Sequence, residues 1–209
     1  GFFQVNIDGL RAKREALRKQ FGLDRPWDPM TSAPALVRRH RGMVATALQL
    51  LDEAAWAEAM KKADTRDEQI KTLANFSTML DTLQEEDDYL ALQRGIFMSA
   101  YFSAADGSGQ NFVVSLPADY SPRTTYPLIV HLHGAGGVPG LRDTAQYNKQ
   151  NFILVMPWGR GGHSNYCGLG EDDVLQVIGY MKEWYKIDPE RVYVTGASMG
   201  GGGSWRMAS

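Results

Sequence analysis

Cysteine is nearly absent from this chain. Cys167 stands alone among 209 residues, so no disulfide can close within the chain, and the redox compartment stays open. No apolar run approaches the roughly 20 residues of a membrane-spanning helix. Charge of one sign is not in excess: Lys and Arg number 22 against 24 Asp and Glu, a formal net charge of −2. Neither a nucleic acid nor an anionic membrane is expected as a partner. The chain opens Gly1-Phe2-Phe3, with no Met and no signal-like stretch, as expected of a processed or trimmed product. Histidine is sparse and one-sided. His40, His131, His133 and His163 all precede residue 198, and Met199 to Ser209 hold neither histidine nor acid.

What is present is ordinary globular composition, 44% hydrophobic and 22% charged, in a length that suits one domain with a smaller appendage. Residues 1–94 form a helical segment by texture, rich in Ala, Leu, Glu, Lys and Arg. Val44, Ala47, Leu48, Leu51, Ala55 and Met60 fall at helical spacing, as do Ile70, Leu73, Leu80 and Leu83. Their amphipathic spacing predicts a packing layer, with Trp27, Trp56 and Tyr89 as core anchors; a lid or dimer surface is the alternative. From residue 95 to 209 strands and helices alternate. Strands are predicted over Ile96–Ser103, Asn111–Leu116, Leu128–Leu132, Phe152–Met156 and Arg191–Thr195. Asp106-Gly107-Ser108-Gly109 reads as a hairpin turn and Asp188-Pro189-Glu190 as a turn. Helices are predicted over 142–149 and over 172–186, with Asp172 and Asp173 as acids capping the second. Strands separated by helices predict a mostly parallel sheet flanked by helices, an α/β class.

The pattern that carries chemistry is Gly196-Ala197-Ser198-Met199-Gly200, between the predicted strand at Arg191–Thr195 and a helix beginning near Gly201. Glycines at both ends permit a sharp turn in which the serine stands strained and exposed, the form of a nucleophile elbow. A serine hydroxyl is a poor nucleophile without a base, normally a histidine oriented by an acid. The plain alternative is a serine in a tight glycine turn with no chemistry; the strand before it and the helix after it favour the elbow. A second pattern, His131-Leu132-His133-Gly134-Ala135-Gly136-Gly137, follows a predicted interior strand. Small residues there let backbone N–H groups approach a developing oxyanion. The Ala135 and Met199 amides are the expected donors, with Gly134 or Gly136 shaping the loop. The run lacks the Lys-Ser/Thr of a phosphate loop and the spacing of a dinucleotide site. His133 precedes the loop and reads as structural rather than as the base.

Three stretches together carry a resemblance. They are Tyr126-Pro127-Leu128 leading into His133–Gly137; Pro157-Trp158-Gly159-Arg160-Gly161 followed by Gly170-Glu171-Asp172-Asp173-Val174-Leu175; and Ile187 through Gly201. Residues 95–209 resemble the α/β-hydrolase serine esterases that include feruloyl esterases, acetyl xylan esterases and polyhydroxybutyrate depolymerases. Prolyl-oligopeptidase-like hydrolases are close relatives of that group. The resemblance implies an α/β-hydrolase fold, hydrolysis of carboxylic esters through an acyl-enzyme, no metal and no organic cofactor, and export to the periplasm or the cell exterior. The helical segment 1–94 is not part of the usual pattern.

The chain departs from the family where the triad should be completed. The family order is serine, acid, histidine, and only eleven residues follow Ser198. The expectation is therefore an N-terminal portion of the catalytic domain, with acid and histidine supplied by a further segment or a second chain of the same protein. Around the site, Trp158, His163 and Tyr166 are candidate substrate-binding residues, with Gly134 and Gly136, because this loop follows a strand's carboxyl end. The competing view is a packing loop. His163 and Cys167 offer two ligands at i and i+4, too few for a zinc site. The expected partner is a small-molecule or polysaccharide-linked ester. The alternatives are a serine peptidase, and a non-catalytic binding module that kept the elbow.

Overall fold

Seven regular elements lie among the residues described by the computed structural model, which are Ala16, 93–103, 105–137 and 151–208. The N-terminal helices with Trp27, Trp56 and Tyr89, and the helix predicted over 142–149, lie outside them. The chain divides into two compact units, residues 1–92 with 102–109, and residues 93–101 with 110–209. The described part of the first is chiefly the turn at 102–109. There Ser103 N–H donates to Ser108 O at 2.8 Å, and Asp106 accepts from the Ser108 N–H and hydroxyl.

The strands are β1 (Ile96–Phe102), β2 (Gly109–Ser115), β3 (Tyr126–Leu132), β4 (Ile153–Pro157) and β5 (Ile187–Gly196). They form one sheet in the order β1-β2-β4-β3-β5. β4 is parallel to β3, β3 is parallel to β5, and β2 runs antiparallel to β4. The mostly parallel pairing on the β5 side follows from the chain between those strands, which is long enough for a crossover. The residues of β4 are all buried, as its continuous apolar run requires of a strand covered on both faces. In β3, Tyr126, Leu128, Val130 and Leu132 are buried and alternate with half-buried neighbours.

Helix α1 (Leu169–Trp184) starts three residues earlier than its acids suggest and ends two earlier. Gly168 holds its N-cap position at φ +54, without a side-chain cap. The capping expectation for Asp173 is therefore corrected: that side chain is buried and bonded elsewhere, because the helix begins before it. Asp172 does lie in the first turn, where its carboxylate accepts from Gln176 Nε2 at 2.5 Å. Val174, Val177 and Met181 bury one face of α1, each such burial contributing roughly 1.5–3 kcal/mol.

The turn expected at Asp188-Pro189-Glu190 lies inside β5. Register passes from Tyr126↔Ile187 to Leu128↔Val192, so β5 spends extra residues there as a bulge. Asp188 stabilises it by accepting from Glu190 N–H at 3.0 Å and Arg191 Nε at 2.6 Å. After β5 the chain turns through Ala197 and Ser198 into helix α2 (Met199–Met207). Among the described residues no helix is long and apolar enough to cross a membrane.

Candidate active site

The site is built where β3 and β5 end side by side, with His131 opposite Thr195 and Leu132 opposite Gly196. This register delivers the glycine loop after β3 and the serine turn after β5 to the same end of the sheet. A Cβ placed on Gly196 would stand 2.5 Å from Leu132 O, and one on Gly200 would overlap that same carbonyl. Only residues without side chains let the turn press this closely on β3. Ser198, between them, has φ +54 and ψ −122, a conformation that costs a non-glycine residue about 1–3 kcal/mol. It is exposed.

The glycine loop lies against this turn. A Cβ on Gly134 would stand 3.8 Å from Ser198 Cβ and 3.7 Å from Ala197 O. Ser198 and Gly134 are thus brought together, each followed in the chain by one of the two expected donors, Met199 and Ala135. Gly137 N–H donates to Gly134 O at 3.0 Å, and Gly136 N–H donates to Gly162 O at 2.7 Å. The Gly136 amide is thereby occupied and shapes the loop. Among the described residues the Ala135 and Met199 amides have no hydrogen-bond acceptor.

His133 is buried, and each of its ring nitrogens faces a carbonyl oxygen: Nδ1 lies 2.9 Å from Gly134 O, and Nε2 lies 2.9 Å from Trp158 O. The ring thus lies between the glycine loop and the loop after β4, donating to one of these two carbonyls when neutral.

Of the three loop candidates, His163 is exposed, and its Cε1 lies 3.9 Å from where a Cβ on Gly136 would be. Trp158 is half-buried. Tyr166 requires correction as a substrate contact: it is 0% exposed. Asn165 and Tyr166 both take positive φ, 53° and 51°, which turns the phenol ring inward. The ring fills the space left by two glycines. A Cβ on Gly159 would stand 2.5 Å from Tyr166 Cε1, and one on Gly203 would stand 2.6 Å from Tyr166 Cδ2. The Tyr166 hydroxyl donates to His133 O at 3.2 Å. Burial holds its ionisation well above the ordinary phenol range, partly offset by that bond.

Sequence reasoning missed a buried carboxylate. Asp173 is 0% exposed. Its Oδ1 accepts from the Tyr101 hydroxyl at 2.6 Å and its Oδ2 from Gly159 N–H at 2.7 Å. Burial raises its ionisation above the ordinary carboxylate range, against the lowering effect of those two bonds and of Arg160. Tyr101 is pushed up too, first by burial and then by the neighbouring carboxylate. Among the described residues no group of three or more His, Cys, Asp or Glu could hold a metal ion.

The sheet order, with a strained serine turn between β5 and α2 and a glycine loop after β3, defines the α/β-hydrolase fold. Within that fold the chain resembles the serine esterases. No family model matches it. It is 32% identical over 108 residues to a bifunctional acetylxylan esterase/xylanase of Neocallimastix patriciarum, covering 48% of this chain and 16% of that one. It is 30% identical over 116 residues to an uncharacterized peptidase of Bacillus subtilis (strain 168), covering 48% of this chain and 18% of that one. Among solved structures it is similar to a ferulic acid esterase of Anaeromyces mucronatus, with 21% identity, a TM-score of 0.41 and coverage of 50% and 49%. The chain spans less than a fifth of the length of the two curated relatives.

Proposed function

We propose that the protein is a serine carboxylic-ester hydrolase working through an acyl-enzyme, with Ser198 as nucleophile and the Ala135 and Met199 amides as oxyanion donors. The observation that carries this reading is the strained, exposed Ser198 beside Gly134, with the Ala135 and Met199 amides without an acceptor among the described residues.

In this reading Ser198 Oγ adds to the ester carbonyl carbon and passes its proton to a general base. The carbonyl oxygen takes up the negative charge opposite the two amides. Collapse re-forms the carbonyl and expels the alcohol, which receives the proton. Water then repeats the sequence on the acyl-enzyme, releasing the acid and restoring the serine. Each oxyanion donor supplies about 2.7–4 kcal/mol to such a step. His133 is not proposed as the base, because it is buried with each ring nitrogen facing a carbonyl oxygen. The base and its orienting acid are proposed to come from a further segment or a second chain. The reading needs no metal or organic cofactor.

For substrate we propose acyl or aromatic esters of plant polysaccharide, a class supported by the acetylxylan esterase relative, with polyester as the neighbouring choice. The half-buried Trp158 and exposed His163 beside the glycine loop are proposed to flank the ester. The peptidase relative supports a second reading, in which the same serine attacks an amide.

The test assays the full-length protein on p-nitrophenyl acetate, methyl ferulate and a peptide p-nitroanilide. Turnover of the esters, abolished in Ser198→Ala, is expected. Turnover of the anilide alone assigns a peptidase. Full activity in Ser198→Ala removes the serine from the mechanism, and no turnover of any substrate leaves a binding module.

A further inference from the structure

Ala135 N–H and Gly134 C=O belong to one peptide unit, and in a trans peptide they point in opposite directions. Fixing the carbonyl therefore fixes the aim of the amide. Gly134 O is held by Gly137 N–H at 3.0 Å and faces His133 Nδ1 at 2.9 Å. The opposite edge of the imidazole, Nε2, faces Trp158 O at 2.9 Å. That oxygen belongs to the peptide whose N–H, on Gly159, donates to Asp173 Oδ2 at 2.7 Å. The other carboxylate oxygen accepts from the Tyr101 hydroxyl at 2.6 Å. A line of close polar contacts thus runs from β1 and α1 through two peptide units and one imidazole, which when neutral donates to one of its two facing carbonyls, to the peptide that carries the Ala135 amide.

We propose that Asp173 is a positioning residue for the Ala135 amide, acting through the Trp158–Gly159 peptide and the His133 ring. The inference rests on the ester-hydrolase reading for its kinetic meaning. Both bonds to the Asp173 side chain are short, 2.6 and 2.7 Å. A carboxylate drawing on Gly159 N–H polarises that peptide and makes Trp158 O a better acceptor for the imidazole. Donating from Nε2 to Trp158 O, the imidazole is fixed with Nδ1 against Gly134 O, and its position limits how the Gly134–Ala135 peptide can turn. Asp173 is fully buried and has no route to substrate, so its effect on the reaction passes along this line.

The test is a double-mutant cycle of Asp173→Asn and His133→Ala in the full-length protein. Asp173→Asn is expected to lower kcat about tenfold with KM unchanged, a part of the hundredfold or more that losing an oxyanion donor costs. Added to His133→Ala, it should cause little further loss, because the line is already cut. Effects that multiply, or a change in KM with kcat intact, overturn the proposal while leaving Ser198-dependent turnover in place. If Asp173→Asn does not fold, Tyr101→Phe replaces it in the cycle, with a smaller loss of kcat and the same non-additivity expected. Hydrogen exchange at the Gly137 amide, whose acceptor is Gly134 O, gives a readout independent of turnover. Faster exchange in Asp173→Asn or Tyr101→Phe supports the line, and unchanged exchange overturns it even if no ester is hydrolysed.

Discussion

The Leu132 carbonyl oxygen occupies the place that a side chain on Gly200 would need. Two pieces of backbone meet there, the end of β3 and the first turn of α2, and neither can yield as a flexible side chain would. Gly200→Ala is therefore expected to destabilise the fold by about 3 kcal/mol, the upper end of ordinary overpacking. Gly202, on the same helix, has nothing within 4 Å of a Cβ and is exposed. Gly202→Ala should stabilise by roughly 0.5–1 kcal/mol through helix propensity alone. Denaturant midpoints of the pair decide it: shifts of the same sign contradict the close approach.

The backbone at Ser198 gives a second expectation. Its φ of +54 penalises any residue bearing a Cβ, serine and alanine alike. Ser198→Gly relieves that strain, about 1–3 kcal/mol, against a gain in unfolded-chain entropy of about 0.4–1 kcal/mol. Ser198→Gly should thus be more stable than Ser198→Ala by about 1 kcal/mol, with neither variant turning over ester. Equal unfolding midpoints for the two would show that the turn stores no strain.

The parts of the site that could be read from the sequence are those whose chemistry is local. Gly196, Ser198 and Gly200 announce a tight turn because the same residues both require and permit it. Gly134 to Gly137 announce a close backbone approach for the same reason. What could not be read depends on packing between distant elements. Tyr166, an aromatic in a glycine-rich loop, looks like a ligand contact. It is buried because Gly159 and Gly203 lack side chains where its ring lies, and no spacing rule links those positions. Asp173 looks like a first-turn acid, and its true partner, Tyr101, lies 72 residues earlier. The bulge in β5 was hidden by Pro189, which reads as a turn residue although a bulge tolerates it equally well.

Tyr166 allows its two roles to be separated. Tyr166→Phe keeps the ring between Gly159 and Gly203 and removes only the hydroxyl bonded to His133 O. A loss of about 1 kcal/mol is expected, the net value of one such bond. Tyr166→Ala empties the space and should cost about 3–5 kcal/mol. Thermal unfolding of both variants tests the assignment. Near-wild-type stability of Tyr166→Ala would mean that the ring is not part of the packing beneath the loop.

Asp173 ties stability to pH in a direction opposite to that of most paired carboxylates. Its ionisation is raised in the folded state, first by burial, with Asp172 adding to the effect, while Tyr101, Gly159 and Arg160 oppose it. In the unfolded chain the group titrates near the usual aspartate value of about 3.9. Between that value and the raised one, the folded protein holds a proton that the unfolded chain has lost. Stability changes with pH in proportion to protons bound by the unfolded state minus those bound by the folded state. That difference is negative here, so the contribution of Asp173 is fully present below about pH 4 and is lost as pH rises through the raised folded value. Asp173→Asn removes this titration and keeps a polar side chain of the same size beside Tyr101 and Gly159. The unfolding free energy of wild type minus that of Asp173→Asn should therefore fall as pH rises above about 4, then level off once Asp173 is ionised in both states. Urea unfolding of both proteins across that range measures the difference directly. A difference that grows with pH would mean that the bonds from Tyr101 and Gly159 outweigh burial, and that Asp173 behaves as an ordinary stabilising carboxylate.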